Sequence, residues 1–126
     1  MGNSAMMMVT NDNGDPVRTF IDNVTCMYDH GQGSSPGSDL SLFNDQVIGS
    51  GQTFPNSNGQ YIETKNSGNC FDVTSTFDLK VTNANTNEEI GVVNFEELGG
   101  WSYKAPSTIN VDLSGDPTYI IVTVKP

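Results

Sequence analysis

The chain has 126 residues, 35% of them hydrophobic, with 15 acidic side chains against 5 basic ones and a formal charge of -10. That length fits one domain, residues 1–126, whose core needs neither a metal nor a dense disulfide framework. Five basic side chains cannot neutralise a run of phosphates, so nucleic-acid binding is excluded, and charge-driven attraction to an anionic membrane is disfavoured while a neutral or zwitterionic lipid surface stays open.

The opening, Met1-Gly2-Asn3-Ser4-Ala5-Met6, has neither a basic start nor an apolar stretch of secretory length. Gly2 invites myristoylation, but Met6 stands where that signal needs Ser or Thr. No apolar run approaches the ~18 residues of a membrane-crossing helix. A soluble protein is expected, cytoplasmic or secreted by a non-classical route; a leader already removed would leave no trace.

Apolar residues alternate along the chain and show no helical spacing over three turns. Residues 5–10 predict an opening strand. Asn11-Asp12-Asn13-Gly14-Asp15-Pro16 then predicts a tight hairpin turn, because Asn, Asp and Gly accept left-handed φ and Pro ends pairing. Residues 17–28 predict one strand with Phe20, Val24, Cys26 and Tyr28 on one side and Asp22 as an anomaly among them. Residues 31–39 predict a longer polar loop, and 40–43 and 60–64 short strands. The clearest pattern is 71–81: Phe71, Val73, Ser75, Phe77, Leu79 and Val81 on a core face, with Asp72, Thr74, Thr76, Asp78 and Lys80 on the wet one. Residues 90–95, 108–113 and 118–125 predict further strands, separated by turns at 83–89, Gly99-Gly100 and Ser114-Gly115-Asp116-Pro117. About eight short strands punctuated this way predict an all-β, antiparallel β-sandwich.

Cys26 and Cys70 match no metal spacing. A bond between them would close a long loop; two separate buried thiols are the expectation here, for want of an export signal. Asn23-Val24-Thr25 is a glycosylation sequon, discounted because it falls within a predicted strand.

Catalytic constellations are weak. His30, with Ser34, Ser35 and Asp29, lies in a Gly-rich loop without a strained nucleophile elbow, and one histidine with two cysteines is too few for zinc. Asn11 to Asp15 resembles half of a calcium loop, yet Asp22 stands where the bidentate Glu belongs, so a turn is expected. In Glu88-Glu89 and Glu96-Glu97, neighbours point to opposite faces of a strand and cannot form a glycosidase pair; solvated edges are expected. No catalytic residue, metal or cofactor is therefore assigned, and a non-enzymatic role is expected.

The remaining constellation is aromatic. Phe95, Trp101 and Tyr103 surround the Gly99-Gly100 turn, beside Glu96, and Tyr28 with Asp29 forms a second aromatic–polar strand end. Rings with polar tips suit membrane interfaces and sugar faces; the alternative is that Phe95 and Trp101 belong to the core. Taken in order, 5–9 with Asn11 and its turn, Val17, the 23–29 segment, Thr74-Ser75-Thr76-Phe77-Asp78-Leu79 and Phe95-Glu96-Glu97-Leu98-Gly99-Gly100 resemble the aegerolysin family and, more loosely, the bacterial insecticidal proteins sharing that fold. The resemblance implies a two-sheet sandwich, binding to membrane lipids that are often sphingolipids, and pore formation with a larger partner protein. It also implies that Tyr28 and Phe95 stand where lipid-contacting tryptophans are common, with Glu96 at the acidic position beside the second. The chain departs from the pattern in having Tyr28-Asp29 for Trp-Gly and Phe71 for a headgroup-facing acid, so its lipid specificity is expected to differ or be lost.

The expected role is lipid or membrane recognition. Tyr28, Phe95, Trp101 and Tyr103 would supply rings, and Asp29 and Glu96 would bond a headgroup. A lectin-like, glycan-binding module is the alternative.

Overall fold

A computed structural model describes residues 3–28 and 39–126. Among these, the strands in chain order are β1 (Ser4–Asn11), β2 (Val17–Thr25), β3 (Met27–Tyr28), β4 (Gln46–Ile48), β5 (Thr53–Phe54), β6 (Gln60–Thr64), β7 (Ser75–Asn83), β8 (Glu89–Glu97), β9 (Trp101–Lys104), β10 (Ile109–Ser114) and β11 (Tyr119–Val124). They build an all-β sandwich of two sheets, ordered β10-β11-β1-β6-β3 and β4-β2-β7-β8-β9. β6 and β5 follow one another along the same edge of β1. The strand count exceeds the expected one because β4, β5 and β9 are too short to show a period.

The alternation that predicted the strands also fills the core. Ala5, Met7 and Val9 of β1, Phe77, Leu79 and Val81 of β7, and Ile120, Val122 and Val124 of β11 are buried between the sheets. Each of these side chains other than Ala5 contributes roughly 1.5–3 kcal/mol by leaving water. Phe77 stacks on Phe95 with centroids 4.9 Å apart, and the Phe43 ring meets Phe54 edge-on at 5.5 Å.

Four expectations about the strands need correction. The sheets are not purely antiparallel, since β1 and β11 pair in parallel, Met6 opposite Tyr119 through Asn11 opposite Val124. The Asn11–Pro16 turn is not a hairpin: β1 and β2 lie in different sheets. Its polar side chains shape the crossing instead. The Asn11 amide donates to the carbonyls of Asp15 (2.9 Å) and Ile48 (3.0 Å), and its Oδ1 accepts from Asn13 N. Those groups are thereby committed to the backbone rather than to calcium. Residues Leu40–Phe43 form a 3-10 turn, capped by the Asp39 carboxylate accepting from Ser41 N, which buries Leu40 and Phe43 three residues apart. The predicted strand 17–28 breaks at Cys26, whose left-handed φ of 54° turns the chain out of one sheet and into the other.

The thiols are not separate. Cys26 and Cys70 form a disulfide across 44 residues of sequence. It anchors the turn Gly68–Cys70, so the chain loops outward before β7 begins at Ser75. Phe71 and Val73, expected on the core face, lie before the strand and are exposed.

β8 passes close beneath the β9–β10 connection. A Cβ at Gly91 would lie 2.5 Å from Pro106 Cγ and 3.0 Å from Thr108 Oγ1. Gly91→Ala is therefore expected to cost about 1–3 kcal/mol by overpacking, read as a lower urea midpoint with unchanged slope.

Candidate functional site

Strand direction places several chain segments at one pole of the sandwich. β1 and β11 begin there, β7 begins and β8 ends there, β9 begins there, and β6 ends there against β3. Tyr28 and Trp101 thus lie toward the same pole, on edge strands of different sheets, and each is half-buried.

Between the two sheets the pole opens into a cleft of about 340 Å³, lined among others by Asn3, Ser4, Glu97, Trp101, Asp116 and Thr118. A second cleft, of about 170 Å³, lies beside it and shares Asn3, Glu97 and Gly99 with the first; its outer wall is Phe71, Val73 and Leu98. Glu97 stands at the junction. Its side chain points inward because it has the parity of Phe95 on β8, and it is 6% exposed. A buried carboxylate needs donors, and Glu97 Oε2 accepts from Asn3 Nδ2 and, at 2.9 Å, from Gly100 N. The second bond requires the tight β8–β9 turn, where Gly99 and Gly100 have φ of 71° and 149°, angles a side chain disfavours.

Trp101 forms the adjoining wall. Its ring meets Phe77 edge-on at 6.1 Å, which ties it to the core, and its buried Nε1 has no acceptor among the described residues. Tyr28 lies on edge strand β3 opposite Glu63, with Lys65 Nζ 5.9 Å from its ring centre. Glu63 is buried beside it and accepts from the Tyr61 hydroxyl at 3.0 Å.

The other predicted residues fare differently. Phe95 is 1% exposed and stacked on Phe77, so its ring is core and not a membrane anchor. Glu96 is exposed, but on the outer face of its sheet, away from the cleft that its neighbour Glu97 lines. The expectation that both acids of the doublet are solvated holds for Glu96 and fails for Glu97. Tyr103 lies further along β9; its ring is partly exposed, and its hydroxyl donates to Val111 O at 3.1 Å, linking the edges of the two sheets. Asp29, His30, Ser34 and Ser35 lie outside the described residues.

Sequence reasoning missed the apolar rim. Phe71 is 70% exposed and Leu98 69%, the two most exposed large apolar side chains among the described residues, and both border the second cleft. The parity of Phe95 and Glu97 was a usable signal for the buried acid. Nothing in the alternation announced that Phe71 lies outside the strand.

Among the described residues no group of three or more His, Cys, Asp or Glu is arranged to hold a metal ion. No helix there is long and apolar enough to cross a membrane. No protein-family model matches the chain, and no curated protein matches it in sequence. In three dimensions it is similar to IP-1A from Alcaligenes faecalis, with a TM-score of 0.57 and 10% identity, over 99% of this chain and 93% of that one. At that identity the likeness concerns the fold.

Proposed function

We propose that this sandwich is a non-enzymatic module that recognises the surface of a neutral, sphingolipid-containing membrane through the cleft-bearing pole. The observation that carries this is the rim of Phe71, Val73 and Leu98, exposed together along the second cleft. Neighbouring large apolar side chains are left in water at a cost, and the cost is recovered where an apolar phase meets them. Each of Phe71 and Leu98 would gain roughly 1.5–3 kcal/mol on leaving water. The rim is tied down by the disulfide before Phe71 and by the hydrogen-bonded turn after Leu98, where Gly100 N donates to Glu97 Oε2, which lowers the ordering entropy that opposes insertion. The net charge of -10 favours neutral over anionic lipid. The segment order that resembles aegerolysins supports the same role, with Trp101 and Tyr28 at the interfacial level rather than Phe95.

Sedimentation with sphingomyelin–cholesterol and with phosphatidylcholine vesicles tests this. The full chain is expected to sediment with neutral vesicles. Phe71→Ser and Leu98→Ser are each expected to weaken binding by about tenfold, the loss of one buried side chain, with little change in thermal midpoint. Vesicle binding that survives both substitutions together would contradict the role of the rim. Glycan binding without any sedimentation would leave the lectin-like alternative standing in its place.

A further inference from the structure

We infer that the cleft bounded by Glu97 and Trp101 is a binding site for a ligand carrying an ammonium group. This deepens the membrane role, because a lipid headgroup is one carrier of that chemistry; a soluble amine is the other.

The local charge is unbalanced. Glu97 is 6% exposed, yet both of its donors, the Asn3 amide and the Gly100 N–H, are neutral and both address Oε2. No described residue donates to Oε1, and Glu97 lines both clefts. None of the residues lining either cleft is Lys, Arg or His, while Asp116 borders one and Asp72 the other. A mostly buried carboxylate with only neutral donors is a strong acceptor for a cationic donor. The indole of Trp101 walls the same space, and aromatic faces attract ammonium groups. A cleft of about 340 Å³ admits a small headgroup or amine.

Trp101 is the sole tryptophan, so its fluorescence reports the cleft directly. The full chain is titrated with ethanolamine hydrochloride and with choline chloride, against potassium chloride at matched ionic strength. A saturable change with at least one amine, absent with potassium, is expected. Glu97→Gln keeps the side-chain volume and an acceptor for Asn3 and Gly100, and is expected to weaken amine binding about tenfold, the effect of losing a charged hydrogen bond. Should that variant lose its circular-dichroism spectrum, Asp116→Asn on the exposed rim serves instead, with a smaller weakening expected. No saturable change with either amine, or unaltered binding by a folded Glu97→Gln, overturns the inference. Phosphatidylcholine vesicles form the other arm. Amine binding lost in Glu97→Gln, without vesicle binding by the wild type, supports the cleft and removes the membrane role. Vesicle binding that is equal in wild type and Glu97→Gln overturns the cleft and leaves the membrane role to the apolar rim.

Discussion

Replacing Cys26 and Cys70 by serine is expected to lower stability by about 4 kcal/mol, and the thermal midpoint by on the order of 10–20 °C. The magnitude follows from the 44-residue separation, since the bond removes the freedom of a long loop from the unfolded chain. The bond also sits where other contacts converge. The Cys26 carbonyl accepts from Lys65 N at 2.7 Å and from Ser75 Oγ at 2.8 Å, joining the break before β3 to the residue after β6 and to the start of β7. Thermal unfolding of the double variant, and of the wild type with and without reductant, checks this; an unchanged midpoint would show that the bond contributes nothing. Vesicle binding is expected to weaken in the same variant below its midpoint, because the turn that presents Phe71 loses its anchor. Disulfides persist in oxidising surroundings, so the full effect belongs to protein kept away from thiols.

Phe95→Ala is expected to destabilise the protein by about 3–5 kcal/mol, the range for truncating a large aromatic in a packed core. Phe95 is 1% exposed, stacks on Phe77, and also lies 6.5 Å from the Tyr103 ring. Its removal opens a cavity under the wall that carries Trp101. Phe71→Ser, at a 70% exposed position, is expected to shift stability by less than about 0.5 kcal/mol. Urea denaturation of the two variants separates the roles: Phe95 supports the sandwich and Phe71 faces outward. A stable Phe95→Ala protein with impaired vesicle binding would reverse that assignment.

Alternation carried most of the architecture. Segments 5–10, 90–95 and 118–125 fall on β1, β8 and β11, because a strand with one wet face writes a period of two into its sequence; 60–64 falls on β6 although Ile62, Glu63 and Thr64 are all buried. The turns at 83–89, 99–100 and 114–117 connect antiparallel neighbours, β7 to β8, β8 to β9 and β10 to β11. The same logic fails where the backbone leaves the extended region. Cys26 at φ 54° and Asp72 at φ 58° are both left-handed, and each marks a place where an apparently continuous strand ends. A residue without a glycine's freedom gives no warning of that conformation. The 3-10 turn Leu40–Phe43 escaped because four residues cannot distinguish a spacing of two from one of three.

The candidate site was only partly legible for a related reason. Trp101 and Tyr28 were readable as rings near strand ends; both lie toward one pole, on edge strands of different sheets, and only Trp101 lines the cleft. Glu97 was readable from the parity of Phe95 but was grouped with its solvated neighbour Glu96. Asn3, Asp116 and Thr118 come from distant parts of the chain and meet only because β1 and β11 run parallel and start together. That pairing is a long-range fact which no local pattern contains. The rim residue Phe71 follows directly on a disulfide-bonded cysteine, a pairing that the spacing of two cysteines does not reveal.

The most direct measurement is quenching of Trp101 fluorescence by neutral sphingomyelin–phosphatidylcholine vesicles whose acyl chains carry bromine or a spin label. Concentration-dependent quenching is predicted for the wild type, abolished by combining Phe71→Ser with Leu98→Ser. Sedimentation without quenching, or neither, would contradict contact between this pole and the bilayer.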